Sequence, residues 1–134
     1  MLMTMSNFLT EQIKDMIHSY VDFTRIQMGI PTPIIVYYSW EEVEHLNYPI
    51  PDKRLYNKLL GWSDNINGNN VLLVNVRMHH TFQTIIRTIV HELLHIKFPK
   101  ISDEGEIERY TYRWLETKHN DFGFYYDEKF VAEW

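Results

Sequence analysis

The sequence predicts an α+β fold: a small, mostly antiparallel sheet packed on one central helix, which a second, glutamate-bearing helix follows. Three observations predict it. Residues 81–98 (TFQTIIRTIVHELLHIKF) place apolar side chains at Phe82, Ile85, Ile86, Ile89, Val90, Leu93, Leu94 and Ile96, the spacing of a helix with one buried face. Residues 61–76 (GWSDNINGNNVLLVNV) read as two strands around the turn dipeptide Asn67-Gly68. Finally, the order helix, strand, hairpin, helix, helix mixes both element types within one short chain.

Taken in order, residues 1–5 form a loose start. From Ser6 to Gln27 the positions Leu9, Ile13, Met16, Ile17, Tyr20 and Val21 trace one helical stripe, extended less cleanly by Phe23 and Ile26. Ser6 is the expected cap, and Gly29 with Pro31 ends the helix. His18 reads as an exposed helix residue. Residues 33–40 (PIIVYYSW) are β-branched and aromatic, hence a strand. Residues 41–46 (EEVEHL) suit one helical turn. Their Glu41, Glu42, Glu44 and His45 read as a solvated face rather than a metal site, because Pro49 and Pro51 put them beside an irregular loop. Residues 52–60 are amphipathic and ambiguous between helix and strand. The asparagines around Asn67-Gly68 leave room for a loop longer than two residues, and 71–76 is the second clear strand. Met78-His79-His80 reads as a polar link. Thr81 caps the central helix and Pro99 stops it. Ser102 is the expected cap of the last helix, which the tight turn at Pro99 folds back on the central one.

Composition narrows the function classes. At 134 residues the whole chain, 1–134, is expected to form a single domain. Thirteen basic against eighteen acidic residues give −5, with no basic stripe, which argues against nucleic acid as partner. The absence of cysteine excludes disulfides, thiolate metal sites and cysteine nucleophiles. No run of about 18 apolar residues is present, so no membrane partner is expected. The first residues lack a basic region followed by an apolar core, so a cytoplasmic location is the expectation.

The chemistry is carried by His91-Glu92-Leu93-Leu94-His95. Two histidines four apart on a helix project from one face, one turn apart, so both ring nitrogens can reach one tetrahedral Zn²⁺. Glu92 lies about 100° round the helix from His91 and can flank the metal without ligating it. A carboxylate there can take a proton from metal-activated water and pass it to a leaving amine. This H-E-x-x-H pattern is that of zinc metallopeptidases. A zinc site of this kind needs a third protein ligand. A histidine six residues after the motif is excluded, because position 101 is Ile101. The lack of cysteine disfavours a peptide-deformylase reading. The last helix offers Glu104 and Glu108, one turn apart on one face with Thr111 or Tyr112, as ligand or as partner of a ligand.

On these residues the chain resembles the gluzincins, and most closely the small archaeal minigluzincins, over residues 61–115. The Gly61-Trp62 hairpin, the helix ending HELLHIKFP and the following SDEGEIERYT carry the resemblance. In the family a glutamate helix supplies a ligand Glu, a small or apolar residue three later and an acid four later that orients the first motif histidine. Glu104, Ile107 and Glu108 match that order, and Thr111 matches a small residue seven later. The larger families favour Asp or Asn where Glu108 stands and Ala where Ile107 stands. Glu108 therefore stays open as the alternative ligand.

The resemblance implies a zincin-like scaffold whose edge strand, assigned here to 71–76, binds an extended peptide above the cleft. It also implies that a terminal segment can block the cleft in a latent form, for which 119–134 is the candidate beside a plain packing role. Tyr112, Tyr125, Tyr126 and His119 are the candidates for stabilising an oxyanion. The expected function is a zinc-dependent peptidase acting on peptides or unfolded proteins with Glu92 as general base. The alternative is a zinc-binding, non-catalytic peptide-binding module on the same scaffold.

Overall fold

The valines and leucines at 71–74 are buried on both faces of a strand, as befits a strand in the middle of a sheet. In the computed structural model, which describes residues 5–44, 46, 59–79 and 81–117, this strand is β3 (Asn69–Val74). It lies between β1 (Ile34–Tyr37) and β2 (Gly61–Ile66) in the order β1-β3-β2. Around the sheet are α1 (Met5–Met28), α2 (Trp40–Glu44), α3 (Phe82–Lys97) and α4 (Glu104–Thr117). The architecture is therefore α+β, as the sequence predicts.

The sheet is mixed rather than mostly antiparallel. β1 runs parallel to β3, with Tyr37 beside Leu73, while β2 runs antiparallel, with Trp62 beside the same Leu73. Parallel pairing needs a long crossover, and the connection from β1 through α2 supplies it. A second correction follows from the strand order. Residues 71–76 are not the edge strand: β3 is central, it stops at Val74, and among the described residues β2 forms the edge next to α3. A central strand has neighbours on both sides and is buried, whereas the polar sequence of β2 suits an edge.

The β2–β3 loop is two residues, with Asn67 at φ 53° and Gly68 at φ 86°. Both lie in the left-handed region of a type I′ turn, which Asn-Gly adopts readily. Such a turn makes Ile66 and Asn69 a hydrogen-bonded pair, and every second pair along the ladder is then of the same kind. The Asn75 N–H donating to the Leu60 carbonyl at 2.8 Å continues that alternation. Gly61, Ser63 and Asn65 therefore turn their backbone N–H and C=O away from β3, along the edge.

Side-chain alternation divides the core. Leu72 and Val74 face α1 and α3, packing with Ile13, Ile17, Tyr20, Ile86, Ile89, Leu93 and, from α4, Ile107. Leu73 faces the opposite side and packs with Trp40 and Val43 of α2 and with Trp62. Because Ser63 pairs with Leu72, the Gly61–Ser63–Asn65 face of β2 looks toward α3.

Helix ends follow local chemistry. α1 closes at Gly29, φ 76°, where Gly29 N–H donates to Ile26 O and Ile30 N–H to Arg25 O, a Schellman motif. It begins one residue before Ser6, so the expected cap lies inside the first turn. Thr81 caps α3 as expected, its side chain accepting from Thr84 N–H at 3.3 Å. The cap of α4 is Asp103 rather than Ser102: its Oδ1 accepts from Gly105 N–H at 2.8 Å and Glu106 N–H at 3.4 Å. Among the described residues, no helix is long and apolar enough to cross a membrane.

Candidate metal centre

Successive turns of two helices build the site. On α3, His91 and His95 stand one turn apart; on α4, Glu104 and Glu108 do the same, and the helices run in opposite directions. Glu104 meets both rings, with Oε2 2.9 Å from His91 Nε2 and Oε1 3.0 Å from His95 Nε2. The two Nε2 atoms are 3.2 Å apart. Glu108 lies one turn further along and meets the other nitrogen of His91, Oε1 to Nδ1, at 2.6 Å. A carboxylate only accepts, so Glu108 suits a tautomer with the proton on Nδ1; in that tautomer Nε2, which lies between Glu104 and His95, is the nitrogen available to ligate a metal.

These atoms fit a metal. Zn²⁺ with bonds of about 2.0–2.1 Å separates tetrahedral ligands by roughly 3.3 Å. The observed separations of 2.9–3.2 Å are close to that and need only small side-chain movements. The donor set, two imidazoles and a carboxylate, suits zinc. His91, His95 and Glu104 form the metal-capable group among the described residues, and Glu108 stands behind His91.

Glu92 faces the sheet. Its Oε1 accepts a hydrogen bond from Ser63 Oγ of β2 at 2.8 Å. Burial pushes its carboxyl above the ordinary glutamate value, against the opposing pull of the Ser63 hydrogen bond and the two histidines. Behind it the strand comes very close to the helix. A Cβ added at Gly61 would lie 2.5 Å from Thr88 Cγ2 and 3.3 Å from Glu92 Cγ. Glycine is what allows β2 to run this near the turn of α3 that carries Glu92.

The α3 surface, α4 and β2 enclose a cleft of about 970 Å³. His91, Glu92, His95 and Glu104 line it together with Gly61, Ser63 and Asn65. Burial tends to raise the carboxyl of Glu108, but hydrogen bonds from Arg87 and His91 outweigh it and hold the group below the ordinary range. Arg87 Nη2 donates to Glu108 Oε2 at 2.7 Å, and its guanidinium carbon sits 4.9 Å from the centre of the Tyr112 ring.

Other candidate residues fall elsewhere. Tyr112 is half-exposed beneath Arg87 and is not among the residues lining the cleft. His119, Tyr125, Tyr126 and the whole 119–134 segment lie outside the described residues, as do His45 and His80. His18 is exposed, near Asp22. Glu41 pairs with Arg77, and Glu42 accepts from Tyr38 N–H at 3.0 Å. His79 is a correction: it is not a polar linker residue but buried, with Nδ1 2.8 Å from Asn75 O and Nε2 2.8 Å from Thr88 Oγ1. It ties the link before α3 to the helix itself.

Sequence reasoning missed two residues of the site. Arg87 stands four residues before His91, a spacing that puts it on the same helix face and was available to find it. Ser63 carried no local signal, because its partner is 29 positions away. No family model, no curated protein and no solved structure matches the chain.

Proposed function

We propose that the chain is a zinc-dependent peptidase with a zincin-like, gluzincin-type site. The observation that carries the reading is the convergence of His91 Nε2, His95 Nε2 and the Glu104 carboxylate on one point, in the cleft that Glu92 also lines. His91, His95 and Glu104 would hold Zn²⁺, with Glu108 fixing the tautomer and orientation of the His91 ring. Zinc bound there supplies Lewis acidity, which polarises a carbonyl and lowers the pKa of water.

The remaining steps belong to the protein. Glu92 takes a proton from the attacking water and delivers it to the leaving amine. Its burial makes it a stronger base than an exposed glutamate. Ser63 holds Oε1 in place and leaves Oε2 to handle the proton. The outward N–H and C=O groups of Gly61 and Ser63 suit an extended peptide, which would add to β2 as a further strand, whereas the Asn65 N–H already donates to Asp64 Oδ1 at 2.8 Å. Ser63 is then both a backbone anchor for the substrate and a side-chain partner of the base. The substrate class is accordingly a peptide or an unfolded protein segment, because only an extended chain presents its backbone to a sheet edge.

Zinc content and hydrolysis of a quenched fluorescent, unfolded protein test this reading. The expected result is one zinc per chain, with hydrolysis that is lost on chelation and restored by zinc. Glu92→Gln should keep the metal and lose hydrolysis, since an amide cannot act as a base. Zinc without hydrolysis in the wild-type chain would leave a binding module, and absence of zinc would refute the site.

A further inference from the structure

We propose that Arg87 is a positioning residue of this metal centre: it fixes Glu108 as the partner of His91 Nδ1 and keeps it from competing for the metal. The inference rests on the metal-site reading above. The two helices form an antiparallel ladder. Arg87, His91 and His95 recur every four residues on α3, and Glu104, Glu108 and Tyr112 recur every four on α4. The rungs are Arg87 with Tyr112, Arg87 with Glu108, His91 with Glu108, His91 with Glu104 and His95 with Glu104. Only the last two rungs lie wholly within the group of metal-capable donors, and the rung of His91 with Glu108 links that group to Arg87.

Glu108 has two equivalent oxygens and stands one turn from Glu104 on the same face. Left alone, it can rotate about its side-chain bonds and offer either oxygen to a cation. Arg87 removes that freedom by engaging Oε2, so that only Oε1 remains, and Oε1 is on Nδ1. The guanidinium is a flat, rigid fork, and the Tyr112 ring beneath it limits its own rotation. Arg87 thus acts on the metal through two intermediates, Glu108 and then His91, without touching it.

Exposure separates this role from a plain structural one. The Arg87 side chain is 46% exposed and that of Glu108 31%. An ion pair so open to water contributes little to folding. Its removal should therefore leave the fold while loosening the metal.

The test uses wild-type protein, Arg87→Gln, Arg87→Lys, Glu108→Ala and the double variant of Arg87→Gln with Glu108→Ala. Zinc affinity is measured by chelator competition, the melting temperature without metal by calorimetry, and the ligand geometry by the visible absorption of the Co²⁺-loaded protein. Arg87→Gln should weaken zinc about 10-fold or more, within the roughly 10- to 100-fold range of partners standing behind a ligand. It should also change the Co²⁺ spectrum, with the metal-free melting temperature nearly unaltered. Arg87→Lys, which keeps the charge but not the fork, should recover part of the affinity. The double variant should bind no worse than Glu108→Ala alone, since Arg87 then has nothing to hold. Full affinity in Arg87→Gln, losses that multiply in the double variant, or a metal-free melting temperature that falls in step with affinity would each overturn the inference. Wild-type protein that takes up no zinc would remove the metal-site reading as well; a wild type that binds while Arg87→Gln binds equally removes this inference alone.

Discussion

Ser63 on the edge strand donates a hydrogen bond to Glu92 on the central helix, Oγ to Oε1, at 2.8 Å. The contact joins the strand that would receive a peptide to the carboxylate that would act on it. It depends on Gly61, two residues earlier, where the strand passes too close to Thr88 for any side chain.

Gly61→Ala should therefore be costly. The new methyl would meet Thr88 Cγ2 at 2.5 Å in a well-packed contact, so the strand or the helix must shift. Overpacking of this kind costs about 1–3 kcal/mol. Denaturant unfolding should show that loss, and hydrolysis should fall further as Ser63 and Glu92 move apart. Unchanged stability would mean that β2 does not approach α3 as described.

The two glutamates of α4 should respond differently to truncation. Glu104 lies within 3.0 Å of both Nε2 atoms, whereas Glu108 meets only Nδ1 of His91. Glu104→Ala should abolish zinc binding at stoichiometric metal, and Glu108→Ala should weaken it roughly 10- to 100-fold. Zinc titration at fixed pH checks this, and the reverse ranking would invert the two roles.

Removing either histidine takes one of three protein ligands from the site. His91→Ala and His95→Ala should each contain less than one zinc per chain after dialysis. Because the metal would bind the folded state, the added zinc that raises the wild-type melting temperature should fail to raise theirs. A zinc-dependent rise equal to the wild type's in either variant would exclude that histidine as a ligand.

Alkaline stability probes the core under α1. Tyr20 is fully buried, and burial pushes its phenol from 10.0 up to about 12. The phenol is neutral when protonated, so the folded state holds the proton more tightly than the unfolded chain. The associated stability is complete below pH 10 and is lost as the pH rises toward 12, by about 3 kcal/mol at most. Tyr20→Phe should flatten this decline. It should not abolish it, because burial also raises Tyr38 to about 12. An identical pH profile in the variant would show that Tyr20 ionises as freely folded as unfolded.

Much of the scaffold is legible in the order of residues. The helical spacing around the motif, the Thr81 cap, Gly29 as a stop and the Asn67-Gly68 turn all depend on neighbours a few positions apart, and each stands where the sequence puts it. The shared face of His91 and His95 is of the same kind, since four residues make about one turn whatever the rest of the chain does.

The tertiary structure decides how these pieces meet. Residues 71–76 and 61–66 both read as strands, but only the parallel docking of β1 makes β3 central and leaves β2 at the edge. His79 reads as linker until Asn75 and Thr88 enclose it. Glu104 and Glu108 share one helix face, so their spacing alone cannot say which comes to the two Nε2 atoms. The crossing of α4 over α3 decides it, through the turn at 98–103 and the burial of Ile107 against the core. The physical reason is one of range. Periodicity and capping are settled by contacts within a turn or two of chain, whereas strand order and helix crossing come from packing between residues far apart in sequence.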